Sequence, residues 1–215
     1  QLLAAENKAQ QQSSQSSNRS SVGLSLGLGL GTGPSSGLGV NASASRSSGQ
    51  SNGSDTGYTN SRLSGDQVSL QSGGDTTLRG AVVEGNRISV EVEGSLLVQS
   101  LQDRSEYREQ NQSTSLSATV PLGTGTAGGS LSQSQTRINS NYQSLNEQSG
   151  LRAGDGGFGV AVKGDTTLIG GAITSSGVAV RQQQNSFQTE GTLRLADINN
   201  QANYSASSIG VTMGA

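Results

Sequence analysis

The sequence predicts an all-β protein of short stacked strands, and three observations carry that reading. Gly and Ser make up about a third of the 215 residues, and aromatic residues only 3%. Apolar and polar residues alternate strictly in several short runs. The chain also repeats itself over a long period.

Composition sets the class. Gly and β-branched residues are poor helix formers, whereas Gly, Ser, Asn and Thr suit short strands joined by tight turns. Hydrophobic residues reach 30% and charged residues 13%, against about a quarter charged in an ordinary domain. A net charge of −2 does not hold a chain open as the high net charge of disordered segments does. A core of Val, Ile, Leu and Ala must be thin. Each buried aliphatic side chain stabilises by about 1.5–3 kcal/mol, against a backbone entropy of roughly 1–2 kcal/mol per residue. Stacked rungs supply such a core; one compact ball of this composition does not.

The same composition excludes functions. With no Cys and no His, disulfides, zinc–thiolate sites and Cys or His catalysis are ruled out. A near-neutral balance gives no nucleic-acid footprint. No run approaches the roughly 20 apolar residues of a membrane helix. Gln1 opens without the basic region and apolar core of a signal peptide.

The repeat is legible by eye. Gly74-Asp75-Thr76-Thr77-Leu78-Arg79-Gly80-Ala81 returns 90 residues later as Gly164-Asp165-Thr166-Thr167-Leu168-Ile169-Gly170. Gly94-Ser95-Leu96 and Tyr107 return as Gly191-Thr192-Leu193 and Tyr204, 97 residues later. The second copy thus carries seven extra residues, placed around Arg181–Phe187. The boundaries read as the end of a preceding unit (1–19), one unit (20–113), a second (114–207) and the start of a third (208–215). The chain is therefore expected to be an excerpt of a longer fibre. A long period favours a solenoid, in which each coil buries its inner face on its neighbours, here about nine coils at roughly 4.8 Å each.

Within a unit, Ile88-Ser89-Val90-Glu91-Val92-Glu93 alternates plainly, with Ile88, Val90 and Val92 on one face. Leu96–Val98 and Val178–Val180 read as further strands. Leu78, Ile88, Val90, Val92, Leu96, Val98, Leu168, Val178, Val180, Leu193 and Leu195 are the expected core, and Gly80, Gly94, Gly170 and Gly191 the expected turns. Residues 35–61 and 130–149 read as loop-like Ser/Gly-rich excursions.

These blocks resemble a known family. Gly74–Ala81, Gly94-Ser95-Leu96-Leu97-Val98-Gln99-Ser100-Leu101-Gln102-Asp103 with Tyr107, and the Ser-Ser-x-Gly-x-Ser-x-Gly blocks are similar to the haemagglutinin repeat. That repeat occurs in filamentous haemagglutinin and in CdiA-like exoproteins of contact-dependent growth inhibition (CDI). The resemblance implies a right-handed parallel β-helix (β-solenoid) and display on the Gram-negative cell surface through a two-partner system. It implies an outer-membrane secretion partner for the parent protein and a target-cell surface or outer membrane as the second partner. The role it implies is non-catalytic: delivery of a C-terminal toxin into a neighbouring bacterium or, alternatively, an adhesive stalk. No cofactor, metal or nucleic acid is expected.

Other motifs have plain readings. Gly123-x-Gly125-x-x-Gly128 and Gly154-x-Gly156-x-x-Gly159 match a dinucleotide fingerprint by letter, but neither is followed by the helix that binds pyrophosphate. Asp75 and Asp165 lack the carboxylate-rich surroundings calcium requires and read as turn-closing residues. Glu91 and Glu93 read as a solvated strand face rather than a hydrolase pair. One segment has more than one reading. Val22, Leu24, Leu26, Leu28 and Leu30 alternate with Gly and Ser over a length suited to a membrane-crossing strand. The same pattern fits a long coil strand with Leu inward, or a flexible hairpin. Ser115–Val120 and Ile209–Met213 repeat it more weakly.

Overall fold

The structure is a computed structural model that describes residues 1–27, 37–123 and 125–214. It is nearly all β. The strands begin with β1 (Leu2–Leu3), β2 (Ala5–Gly27), β3 (Gly37–Thr59) and β4 (Ser61–Ser72). Next come β5 (Thr76–Arg79), β6 (Ala81–Val92), β7 (Leu96–Gln99), β8 (Asp103–Pro121) and β9 (Gly128–Ser144). Then follow β10 (Gly150–Val162), β11 (Thr166–Ile169), β12 (Ala172–Thr174), helix α1 (Gly177–Arg181), β13 (Ser186–Thr189), β14 (Leu193–Ala196) and β15 (Gln201–Gly214). They divide into two compact units.

The first unit comprises 1–9, 55–105 and 142–202 and is built from parallel strands. One sheet runs β1-β5-β7-β11-β14, and a single register carries Leu2, Leu78, Val98, Leu168 and Leu195 across it. The other runs β4-β6-β10, with both β12 and β13 beside β10. It aligns Val68, Ile88 and Phe158, then Leu70, Val90, Val160 and Phe187. The alternation of Ile88–Val92 is realised: Ile88, Val90 and Val92 are buried, and Glu91 faces solvent. These side chains join Leu78, Leu96, Val98, Leu151 and Val162 in one apolar cluster.

Register shows the true period of this unit. Thr76 pairs Leu96, one rung of 20 residues. Thr166 pairs Leu193, a rung of 27. The seven extra residues of the second copy are thus confined to one rung, between the residue pairing Arg152 (Thr174) and the residue pairing Gly159 (Ser186). Helix α1 fills that gap. Its N-cap Ser176 accepts the Ala179 N–H at 3.2 Å, and Ala179 is buried.

Four expectations are corrected here. Val178–Val180 is helix, not strand; Val178 is half-buried and Val180 exposed, because a helical turn carries only Ala179 inward. Leu193 and Leu195 lie exposed on β14, at the end of its sheet order, with β11 on one side only. The parallel sheet of short strands holds five, not nine, because much of the chain belongs to the other unit. Residues 35–61 and 130–149 are not loop-like excursions where described: β3 covers most of the first and β9 most of the second.

The second unit comprises 10–54, 106–141 and 203–215. It is one sheet in the order β15-β9-β8-β3-β2. Ser17 bonds Ser47 and Ser21 bonds Ser43, so β3 falls by four as β2 rises by four; the pair is antiparallel. Ser113–Ser134 and Ser117–Ser130 say the same of β8 and β9, and Ser132–Thr212 and Thr136–Ser208 of β9 and β15. Between β3 and β8, the Leu122 N–H donates to the Leu38 carbonyl at 2.6 Å, and a Cβ on Gly49 would strike Asn111.

Candidate functional site

The repeated motif lies in the turns and short strands of the first unit. The Ser95 N–H donates to Asp75 Oδ1 at 2.8 Å, and the Thr192 N–H to Asp165 Oδ1 at 2.7 Å. Each aspartate closes the turn of the next rung. A Cβ on Gly94 or Gly191 would lie about 2.4 or 2.5 Å from that same oxygen, so both glycines are required. Thr76 and Thr77 are half-buried and Leu78 is buried; Thr166 is fully buried, bonded to Thr189, with Thr167 and Leu168 half-buried. Gly80 and Gly170 take φ of 60° and 57°, and a Cβ on Gly80 would sit 2.4 Å from that of Ala4. Side chains rarely adopt that region.

The remaining motifs resolve as structure. Gly154, Gly156 and Gly159 lie within β10, where a bulge separates Ala153 from Gly157. Glu93 pairs Lys163, and Gln71 donates to Glu91 at 3.2 Å. A four-membered ion network joins Arg62 and Arg152 to Glu84 and Glu147 at 2.7–3.3 Å. The Arg62 guanidinium hydrogen-bonded to Glu84 holds that carboxyl below its ordinary value.

The remaining candidate is the second unit's sheet. Val22 and Leu24 are 79% and 75% exposed, which contradicts a coil strand with its apolar residues inward. Leu28 and Leu30 lie outside the described residues, and the side chain of Leu26 does too. The registers given above place Leu24 opposite Val40, Val40 opposite Val120, and Leu38 opposite Leu122. They also place Leu116 opposite Leu131 and Leu131 opposite Met213. Successive residues of a strand point to opposite faces, so these residues share one face with Val22, Val211 and Ile209. Every one of them except Val40, which is half-buried, is exposed.

The opposite face is hydroxyl-lined. Ser17, Ser47, Ser113 and Ser134 form one row across four strands, and Ser21, Ser43, Ser117 and Ser130 another. The result is an amphipathic sheet with no core of its own: among the described residues, all buried large apolar side chains belong to the first unit. It is also free of charge in its apolar part. No Asp, Glu, Lys or Arg occurs between Arg19 and Arg46, between Glu109 and Arg137, or after Asp197.

Sequence reasoning found β2's part of this face and its weaker copies in β8 and β15. It missed Leu38, Val40 and Leu131. The alternation Leu38-x-Val40-x-Ala42-x-Ala44 was available as a signal, masked by its Ser-rich surroundings.

Comparison with known proteins follows this geometry. The hemagglutinin repeat family matches residues 1–114. A tRNA nuclease CdiA of Escherichia coli strain NC101 is 39% identical over 150 residues, 70% of this chain and 4% of that protein. A toxin CdiA of Escherichia coli is 40% identical over 74% of the chain and 5% of its own length, and a deoxyribonuclease CdiA of Dickeya dadantii 40% over 71% and 4%. The chain thus spans about a twentieth of these relatives. No solved structure matches it.

Proposed function

Because the chain belongs to the hemagglutinin repeat family, we propose that it is a non-catalytic repeat segment of a secreted, cell-surface exoprotein that helps deliver a C-terminal toxin into neighbouring bacteria. Its parent would leave the cell through an outer-membrane secretion partner and meet the surface or outer membrane of a target. The parallel unit is read as a right-handed β-helix, and 20–113 and 114–207 as the repeating units of the chain. The nuclease and toxin names of the relatives describe proteins of which the matched residues are only 4–5%; nothing catalytic is assigned to these residues.

One observation supports delivery above all: the exposed apolar region, free of charge, on one face of the five-stranded sheet. A spacer has no use for it, and large exposed apolar patches mark membrane or protein interaction sites. Strands alternating apolar and small polar residues are the pattern of a membrane-crossing sheet. A membrane barrel takes eight strands or more, and unpaired edges are not tolerated in hydrocarbon. In this reading further repeats of the parent add the missing strands. The parallel stack supports the second reading, a stalk or adhesive segment, since stacked rungs are what a spacer requires.

Deleting residues 20–207 in frame from the parent, with target binding and target inhibition assayed separately, tests the choice. Binding kept with inhibition lost is the expected result. Lost binding favours adhesion or spacing of an adhesive tip, and survival of both activities identifies a dispensable stalk.

A further inference from the structure

We infer that the apolar face, on the side nearer the polar end of its strands, carries an arginine border that takes the phosphate-bearing headgroups of an anionic lipid bilayer. The inference rests on the membrane-directed reading above and names the partner of that same face.

The registers place the arginines. Arg46 on β3 lies one alternation below Ala44, and Arg137 on β9 and Arg108 on β8 lie further along the same strands. All three share the face of Val22, Leu24, Val120 and Leu131, and all three are exposed. Arg108 and Arg137 are diagonal neighbours on adjacent strands, roughly 7–8 Å apart at the backbone. Arg46 lines a shallow groove with Asn18, Ser20, Ala44, Thr114 and Leu116, where the apolar region begins.

Between Arg108 and the apolar region the charge on that face has one sign; Glu106 shares the face but lies on the far side of Arg108. From Arg108 towards the apolar region, the described residues of this face include no carboxylate. On the apolar side of Arg108 the one acid of β8, Glu109, points to the hydroxyl face, where Tyr107 donates to it at 2.7 Å and Asn111 also donates. The face therefore runs from guanidinium groups to bare aliphatic side chains. A bilayer surface presents phosphate above hydrocarbon in the same sequence. Guanidinium is the side chain best matched to phosphate, by its bidentate fork and weak hydration.

The edge of the apolar region also runs obliquely. Counting from the polar end, its first apolar residue is Ile209 on β15, Leu131 on β9, Leu116 on β8, Ala44 on β3 and Val22 on β2. By register, Ile209 lies six residues short of Val22. By the same registers Leu131, Leu116 and Ala44 lie level, so the border steps four residues between β15 and β9 and two between β3 and β2.

The test is flotation of the 215-residue chain with vesicles of phosphatidylcholine alone and of phosphatidylcholine with three-tenths phosphatidylglycerol. Tighter binding to the anionic vesicles is expected, weakening as salt is raised. Each of Arg46→Gln, Arg108→Gln and Arg137→Gln should lower it about fivefold, the equivalent of ~1 kcal/mol per basic residue at an anionic surface. Circular dichroism confirms that each variant keeps its β signal. As a check on the face, Val120→Trp should shift its fluorescence to the blue on binding, and Thr119→Trp should not. Equal binding to both vesicles, unmoved by the arginine variants, overturns the headgroup inference and leaves the membrane reading standing. Failure to float with either overturns both. A blue shift of Val120→Trp without lipid, together with a doubled mass, gives the face to a second copy and overturns the inference.

Discussion

The two units use the same few residue types in opposite ways. In the parallel unit, Ile88, Val90 and Val92 point into a shared core and are at most 3% exposed. In the antiparallel sheet, Val22, Leu24, Ile209 and Met213 alternate just as strictly and are all more than 60% exposed. Alternation alone therefore fixes which residues share a face, not whether that face is covered. Cover comes from a second layer. The parallel unit sets two sheets about one apolar cluster, whereas the antiparallel unit is a single sheet. Its hydroxyl ladder and backbone pairing hold the strands together with no aliphatic core.

That contrast can be broken most directly by putting one charge into each unit. Val90→Asp places an unpaired carboxylate among Ile88, Val160 and Leu78 and should cost on the order of 4–5 kcal/mol, or abolish folding. Val120→Asp should cost less than about 0.5 kcal/mol and still abolish vesicle binding. Urea unfolding of the pair reads the difference; equal losses would mean that the sheet face is covered after all.

Next in size is the turn at Gly80. Gly80→Ala forces a Cβ into a left-handed backbone and against Ala4, with an expected cost of about 1–3 kcal/mol. Gly23→Ala, where a Cβ meets nothing within 4 Å on the exposed sheet, should be nearly neutral. Thermal melts of the two variants compare them.

A smaller effect is expected of Asp165→Ala, which removes the acceptor of the Thr192 N–H. About 0.5–1.5 kcal/mol is expected, because water can replace the lost partner at an exposed turn. Amide exchange at Thr192 should quicken while exchange at Val160 holds.

The smallest concerns pH. Glu84 is held below its ordinary value by its hydrogen bond to Arg62, with Arg152 helping. A depressed carboxyl stabilises above its unfolded value, and that stability is lost as pH falls through the folded one. Stability should therefore drop slightly through and below the ordinary carboxylate range, and Arg62→Gln should flatten the drop. The four side chains are a third to half exposed, so the effect stays small.

Much of the parallel unit was legible in the sequence. The paired Gly-Asp-Thr-Thr-Leu motifs located the turns, and the alternation of residues 88–93 located the core. The 20-residue rung was hidden, because only two successive rungs repeat before the chain leaves for the other unit, and the larger period dominates. Val178-Ala179-Val180 is β-prone locally and predicts a strand; the Ser176 cap and the seven-residue insertion make it helix α1 instead. Residues 35–61 and 130–149 read as loop-like in the sequence because Ser and Gly have weak strand preference. There the preference is overridden by pairing with neighbours of the same composition.

By itself, then, the sequence determined the strand class, the repeat, the turn residues and which side chains lie together along each strand, since all of these follow from local periods and backbone preferences. The tertiary structure alone decided which strands pair. That pairing left one alternating set buried between two sheets. It gathered the other, with Arg46, Arg108 and Arg137 at its border, onto one exposed face. Register is a long-range property: it sums weak preferences over strands far apart in the chain, and no window of the sequence contains it.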